Sequence, residues 1–309
     1  MYFPDLNITL FGLGIWGTKI AARLKSFGVN LDVIDSDPGA EKSATKLNVR
    51  SLNKALQIRS DTHGIIVAIP STAHFSILKK LIPYELPIFV EKPLTTELDE
   101  AQKLREYESF PVFVMHTWLY HPGISLIGKI KECGELGQLL YLRTNRTNWT
   151  SPRKDTDTIW NLLPHDLTII RAILGSYPAP TFAVAEVHEQ IPRGMICILG
   201  DRPHVMIEIS NRYWKKYRDV RAHFELGTVV LNDEKTPFIQ IYHGDHRSEI
   251  RDTRIEERKF SLKPDPLAIE LLSFLKFLKG APPPLSDLRE GIEIVELIGK
   301  IRTIANLPV

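Results

Sequence analysis

Cysteine is scarce in this chain: Cys133 and Cys197 are the 2 cysteines in 309 residues. Such a pair builds no disulfide framework and has no metal-like or redox-like spacing, so both read as ordinary thiols of a reducing compartment. Excess charge is missing too. With 39 Lys and Arg against 37 Asp and Glu, the net charge is +2, and no bulk field recruits nucleic acid or a membrane surface. No apolar run is long enough to span a bilayer. The first residues, Met1-Tyr2-Phe3-Pro4-Asp5, lack the charged start and apolar stretch of a secretory signal. These absences predict a cytoplasmic location with neither nucleic-acid nor membrane partners. In that setting the sequons Asn145-Arg146-Thr147 and Asn148-Trp149-Thr150 are coincidental. There is no internal repeat and no low-complexity tract. What is present is a composition of 43% hydrophobic and 25% charged residues, ordinary for a globular protein and long enough for two domains.

The most informative segment is Gly12-Leu13-Gly14-Ile15-Trp16-Gly17. Asn7 to Phe11 before it reads as a strand, and Thr18 to Lys25 after it as a helix. Leu31 to Asp35 reads as a second strand, ending in an acid 18 residues after Gly17. Strand, glycine turn, helix and acid together form the context of a dinucleotide fingerprint. Gly12 permits the tight turn, Gly14 lets a pyrophosphate approach the backbone, and Gly17 lets the helix pack on the sheet. The helix start offers free N–H groups and a positive dipole end to phosphates. Asp35 is placed for a ribose 2′-hydroxyl, and Ser36 adjoins it. Asp35-Ser36-Asp37-Pro38 carries two acids and no arginine, so a 2′-phosphate is repelled. NAD(H) is therefore favoured and NADP(H) is the alternative, since Lys42 lies further along the same loop.

The first 120 residues or so alternate strand and helix patterns. Gly64 to Ile69 is a continuous apolar run, typical of a strand buried on both faces. Pro87 to Glu91 and Pro111 to Met115 are further short strands, and Ala73 to Leu81 and Leu98 to Tyr107 are helical. This pattern predicts a doubly wound parallel sheet. After about residue 122 the texture changes. A helix over Ile124 to Cys133, a strand over Leu139 to Arg146 and a helix over Ile159 to Leu174 lead into a strand-rich region. That region includes Met195 to Leu199, Val205 to Ile209 and Val220 to Glu225. Turns punctuate it at Gly227, Asn232-Asp233 and Gly244-Asp245. Two helices close the chain, Leu267 to Lys279 and Leu288 to Ala305. The expected fold is α/β plus α+β. An N-terminal Rossmann domain spans residues 1–120. An open, mostly antiparallel sheet covered by helices on one face spans 121–309, with the terminal helices as candidates to pack back on the first domain.

Three further marks carry chemistry. The first, Ala68-Ile69-Pro70-Ser71-Thr72-Ala73-His74, lies at the carboxyl edge of the sheet, where open α/β folds bind ligands. Pro70 fixes the chain direction and Ser71 is placed to cap the next helix. His74 is equally a helix-start residue and a cofactor contact. The second, Glu91-Lys92-Pro93, follows a buried strand, so Lys92 points into the cleft. Its ammonium can stabilise an alkoxide or carbonyl oxygen, and burial would ready it for proton transfer. The third mark, Trp160 to Leu167, places Asn161 and His165 at i and i+4 on one helix face. His165 suits general acid–base work. No residue cluster has the spacing of a metal site.

In their order and spacing these marks resemble the glucose–fructose oxidoreductase / inositol dehydrogenase / MocA family of nicotinamide-dependent dehydrogenases. The resemblance extends through His121-Pro122, Gly134-Glu135-Leu136-Gly137 and Asp265-Pro266-Leu267. It implies that Lys92 and His165 occupy the catalytic positions. It also implies hydride transfer between the nicotinamide and a hydroxyl-bearing carbon, and oligomers formed through the second domain. The sequence departs from the family at Asn161, where many members carry aspartate. An amide holds a hydroxyl or orients His165 but cannot change charge. The stretch from Trp160 to Leu167 is most similar to nucleotide-sugar dehydrogenases. On that reading Arg146, Asn148, Trp149 and Trp160 are candidate substrate contacts. The basic, aromatic group of Arg212, Trp214, Lys215, Lys216, Tyr217 and Arg218 is either a diphosphate site, an exposed turn or an interface.

The leading expectation is thus an NAD-dependent oxidoreductase acting on a sugar or nucleotide sugar, assembled as a homodimer or homotetramer. The alternatives are the same fold acting on a cyclitol, polyol or non-sugar ketone, and an NAD-binding sensor or subunit without turnover.

Overall fold

The computed structural model describes residues 1–53, 58–150, 155–245, 247–249 and 253–308. The chain folds as two compact units, Met1–His116 with Leu267–Val295, and Thr117–Pro266 with Glu296–Val309.

In the first unit, β1 (Asn7–Phe11), α1 (Ile15–Ser26), β2 (Asn30–Asp35), α2 (Ala40–Leu47), β3 (Arg50–Asn53), β4 (Gly64–Val67), α3 (His74–Leu81), β5 (Ile88–Glu91), α4 (Leu98–Lys103) and β6 (Val112–Met115) follow one another. The strands form a six-stranded sheet in the order β3-β2-β1-β4-β5-β6, and every pairing is parallel. Parallel strands need crossover connections, which supply helices to the faces. Every residue of β4, β5 and β6 is accordingly buried. The order reverses beside β1, so the ligand crevice of such a sheet opens at the carboxyl ends of β1 and β4. Within Leu98 to Tyr107 the α-helix stops at Lys103, and Leu104–Tyr107 tighten into a 3-10 turn.

In the second unit α5 (Pro122–Cys133), β7 (Leu139–Trp149) and α6 (Thr158–Leu174) precede seven strands. These are β8 (Pro180–His188), β9 (Ile191–Leu199), β10 (His204–Ser210), β11 (Arg212–Phe224), β12 (Gly227–Leu231), β13 (Phe238–His243) and β14 (Arg254–Lys259). The sheet order is β14-β13-β12-β11-β7-β10-β9-β8. β7 and β10 run parallel, and the remaining described pairings are antiparallel. β7 extends to Trp149, beyond the strand read from the sequence. It lies between β10 and β11 and can form ladders on both edges, so Thr144, Arg146 and Thr147 are buried despite their polarity. The chain ends with α7 (Pro266–Phe277) and α8 (Leu288–Ile304). Leu271, Phe274 and Leu275 of α7 join the first unit's core with Leu10, Ile66 and Phe89, and the Phe274 ring centre lies 5.1 Å from that of Phe89.

α6 is anchored at both ends and in the middle. Asp157 caps it, accepting from Ile159 N at 2.9 Å and Trp160 N at 3.1 Å, and Arg302 Nη1 donates to the same carboxylate at 2.6 Å. Gly175 ends it with φ of 84°, a left-handed conformation that glycine adopts without strain. Midway, Arg146 Nε of β7 donates to Asp166 Oδ2 at 2.6 Å, with the two side chains 3% and 1% exposed. The Arg146 guanidinium also stacks over Trp118, 4.6 Å from the ring centre. Burial pushes the Asp166 carboxyl above its usual range, against the pull of Arg146. Removing one partner leaves a buried charge alone. Arg146→Met is expected to destabilise this unit by about 3–5 kcal/mol, and Arg146→Met/Asp166→Leu to recover most of that loss. Urea unfolding of the two variants measures both.

Candidate active site

The glycine turn is built by close contacts that the three glycines divide among themselves. Gly12 has φ of +92°, and a Cβ there would lie 2.4 Å from the Ala68 carbonyl oxygen. A Cβ on Gly17 would lie 2.1 Å from the Gly12 carbonyl oxygen, so α1 seats directly on the turn. Around a Cβ on Gly14 nothing lies within 4 Å. That open approach fits a pyrophosphate against the backbone. Leu13 N donates to Asp35 Oδ2 at 2.5 Å, and Asp37 N donates to Asp35 Oδ1 at 2.8 Å. Asp35 thus braces the turn while each oxygen keeps a lone pair for a ribose hydroxyl. Ser36 is exposed beside it, as is Ile15 in the turn. The donor and acceptor set suits NAD(H).

Trp16 closes the turn onto the neighbouring strand end. Its indole N–H donates to Glu91 Oε1, and Lys19 lies 5.1 Å from its ring centre. The other Glu91 oxygen accepts from Lys92 N at 3.1 Å. Lys92 itself is half-buried. His74 is buried, with Nδ1 2.8 Å from Pro93 O and Nε2 3.1 Å from Ile69 O. It sits between a carbonyl of the loop after β4 and one of the loop after β5, and its N–H donates to one of them. Pro70 has φ of −56° and precedes a 3-10 turn over Ser71–Ala73. The N-cap of α3 is Ala73, without a side-chain bond. Ser71 therefore does not cap that helix, because the 3-10 turn moves the helix start three residues downstream.

His116 carries no signal in the sequence marks. Glu91 pairs with Met115 in the β5–β6 register, so Lys92 and His116 occupy the next positions on adjacent strands. His116 is 1% exposed. Burial, reinforced by the Lys92 charge, holds its imidazole down to a pKa of about 3. The available signal is the one that marks Lys92: a polar residue directly after an apolar strand.

In the second unit, α6 is buried from Thr158 to Ile170 except at Asn161 and His165, which are half-buried. Pro164 lies inside the helix and lacks the N–H that would bond the Trp160 carbonyl. The helix thus presents an amide and an imidazole on one face, i and i+4 apart. Arg146 and Trp160, read from the sequence as substrate contacts, are buried. Arg146 is paired with Asp166, and Trp160 packs under Arg302 with 5.6 Å between guanidinium and ring centre. Asn148 is half-buried and Trp149 is 68% exposed at the end of β7. Among the described residues no cluster of His, Cys, Asp and Glu could hold a metal ion.

Residues 6–109 match the GFO_IDH_MocA model, described as an oxidoreductase family with an NAD-binding Rossmann fold. The chain is 25% identical over 242 residues to an inositol 2-dehydrogenase of Pseudarthrobacter chlorophenolicus, covering 72% of this chain and 69% of that protein. Among solved structures, levoglucosan dehydrogenase in complex with NADH and levoglucosan superposes with a TM-score of 0.85 at 15% identity, over 97% of both chains. UDP-N-acetylglucosamine 3-dehydrogenase from Acidithiobacillus ferrooxidans superposes with a TM-score of 0.82 at 21% identity, also over 97% of both chains. At these identities the structural likeness establishes the fold: a Rossmann sheet followed by a mostly antiparallel sheet.

Two predictions test this geometry. Gly17→Ala forces carbonyl and Cβ apart and is expected to cost about 1–3 kcal/mol of stability. Gly14→Ala, with open space around it, should shift stability by under about 0.5 kcal/mol yet weaken NADH binding. Thermal unfolding and NADH fluorescence titration separate the two. The second concerns His116. Below pH 6.5 the unfolded chain takes up a proton that the folded imidazole refuses until about pH 3. Stability contributed above pH 6.5 is therefore lost on acidification, by about 2 kcal/mol between pH 7 and pH 5. His116→Leu should flatten that part of the pH dependence in denaturant titrations.

Proposed function

We propose that this chain, whose residues 6–109 belong to the NAD-binding Rossmann oxidoreductase family, is a dehydrogenase of sugars or nucleotide sugars. It moves a hydride between NAD(H) and a secondary hydroxyl or ketone. The observation that carries this reading is the exposure of Asn161 and His165 alone on the first thirteen residues of an otherwise buried helix.

NAD(H), when bound, supplies or accepts the hydride. The Gly12–Gly17 turn and the start of α1 receive its pyrophosphate, and Asp35 its ribose. His165 takes the substrate hydroxyl proton at Nε2 during oxidation and returns it during reduction. The Lys92 ammonium orients the reacting oxygen and stabilises its negative charge. Asn161 holds a substrate hydroxyl or orients His165, without changing charge. Asn148 and Trp149 are the substrate contacts at the end of β7. Arg146 and Trp160 act from beneath, by holding α6 in place. A cyclitol is the second reading, favoured by the similarity to an inositol 2-dehydrogenase.

A cytoplasmic homo-oligomer completes the proposal. Among the described residues no helix is long and apolar enough to cross a membrane. Phe182 and Val184, on the edge strand β8, are 48% and 50% exposed, and an apolar sheet face of this kind suits a second copy.

Absorbance at 340 nm with NAD+ and a panel of UDP-sugars, free sugars and inositols tests the reaction. Turnover of at least one panel member is expected. Lys92→Ala and His165→Ala should each lower kcat by roughly 10²–10⁴-fold with NADH binding retained. NADH binding without any turnover would replace this reading with that of a sensor. Activity undiminished in both variants would remove the residue assignments.

A further inference from the structure

Trp16 stands at a position of the glycine turn that the dinucleotide fingerprint leaves open, yet its side chain reaches well beyond the turn. A helical Cβ points back toward the N-terminus of its helix. The indole of Trp16, in the first turn of α1, is thereby directed to the carboxyl edge of the sheet. The glycine turn follows β1 and Glu91 ends β5, with β4 between those two strands. An indole that reaches Glu91 therefore passes the end of β4, where the ligand crevice opens. Trp16 is 36% exposed.

Both ends of this span are held. α1 is seated by the close approach of Gly17 to Gly12 and by the buried Ile20, Ala21 and Leu24. Thr18 Oγ1 donates to Leu13 O at 3.1 Å, and the Lys19 ammonium lies over the indole. At the other end β5 pairs with β4 and β6. Glu91 is 9% exposed, and a carboxylate with so little access to water depends on protein donors.

The two oxygens of Glu91 meet different donors. Oε1 accepts from the Trp16 indole N–H, a group that can only donate. Oε2 accepts from Lys92 N at 3.1 Å. Lys92 is the first residue beyond β5, where the chain leaves the strand, and the Glu91 side chain holds its backbone there.

We infer that Trp16 is a positioning residue for Lys92: its indole fixes the Glu91 carboxylate, and that carboxylate fixes the Lys92 backbone. The effect on turnover rests on the dehydrogenase reading, whereas the effect on the Lys92 backbone does not. Losing the indole N–H takes a donor from a nearly buried carboxylate oxygen, which costs free energy until the side chain turns to another partner. That turn draws Oε2 off the Lys92 amide. A misplacement of about 1 Å at a reacting group costs roughly a hundredfold in rate, so the outcome is read at Lys92 and not in the cofactor's grip.

Hydrogen exchange of the Lys92 amide, followed by NMR on the full chain without cofactor, tests the linkage. Trp16→Phe keeps an aromatic ring and removes the N–H. It is expected to speed exchange at Lys92 by about tenfold and to leave the amides of β4 unchanged. Glu91→Ala should act similarly, and Trp16→Phe/Glu91→Ala should add little more, because both changes break one path. In the 340 nm assay Trp16→Phe should lower kcat by roughly 10–100-fold, with NADH affinity and substrate KM retained. Unchanged exchange at Lys92 would overturn the inference. Exchange that speeds equally at Lys92 and in β4 would overturn it as well, the change then being a general loosening. So would weakened NADH binding with kcat intact at saturating cofactor, which makes Trp16 a cofactor contact. Selective acceleration at Lys92 in a protein that turns over no panel member would support the linkage and remove the dehydrogenase reading.

Discussion

The ion pair between Arg146 and Asp166 decides which side of α6 faces outward. A charge pair with side chains 3% and 1% exposed tolerates no rotation of the helix, since turning Asp166 away would leave two buried charges unpaired. With Asp166 fixed inward, the residues at Asn161 and His165 are set on the half-exposed side. A neighbouring thiol shares this interior. Burial, with the Asp166 charge added, pushes Cys197 up to about 12. One interaction in the interior thus fixes which face of α6 carries Asn161 and His165.

The first unit depends on steric contact where the second depends on charge. Gly12 and Gly17 bring β1, the loop after β4 and the start of α1 to distances at which a Cβ would overlap a carbonyl oxygen. Gly14 has no such neighbour, so the fold itself does not demand a glycine there. Two glycines are required by the fold and the third is left to the proposed pyrophosphate contact, although all three look alike in the sequence.

This difference indicates what was legible. The alternation of strand and helix, the glycine turn with Asp35, and the i, i+4 pairing of Asn161 with His165 are local patterns, and they appear in the structure where the sequence placed them. The fate of Arg146 and Trp160 was not legible. Both are polar-capable side chains, one in a strand and one in the first turn of a helix, and only the assembled sheet shows that β7 is central and continues to Trp149. The roles of His74 and Glu91 were hidden for the same reason. Their partners, Pro93 and Trp16, lie 19 and 75 residues away in the chain. His116 has no local mark, because its neighbour Lys92 is reached through the β5–β6 register and not through sequence spacing.

Those distant partners bracket Lys92. On its N-terminal side, Glu91 binds the Trp16 indole with one oxygen and the Lys92 amide with the other. On its C-terminal side, the Pro93 carbonyl meets His74, whose other nitrogen reaches Ile69. The loops after β1, β4 and β5 are therefore joined through side chains, each buried at least in part. A displacement of the glycine turn would be felt at the Lys92 backbone through Trp16 and Glu91. Bond networks of this kind hold a reacting group within the small tolerance that oxygen stabilisation requires. Trp16, at one of the unspecified positions of a glycine fingerprint, thus joins the glycine turn to the Lys92 backbone through Glu91.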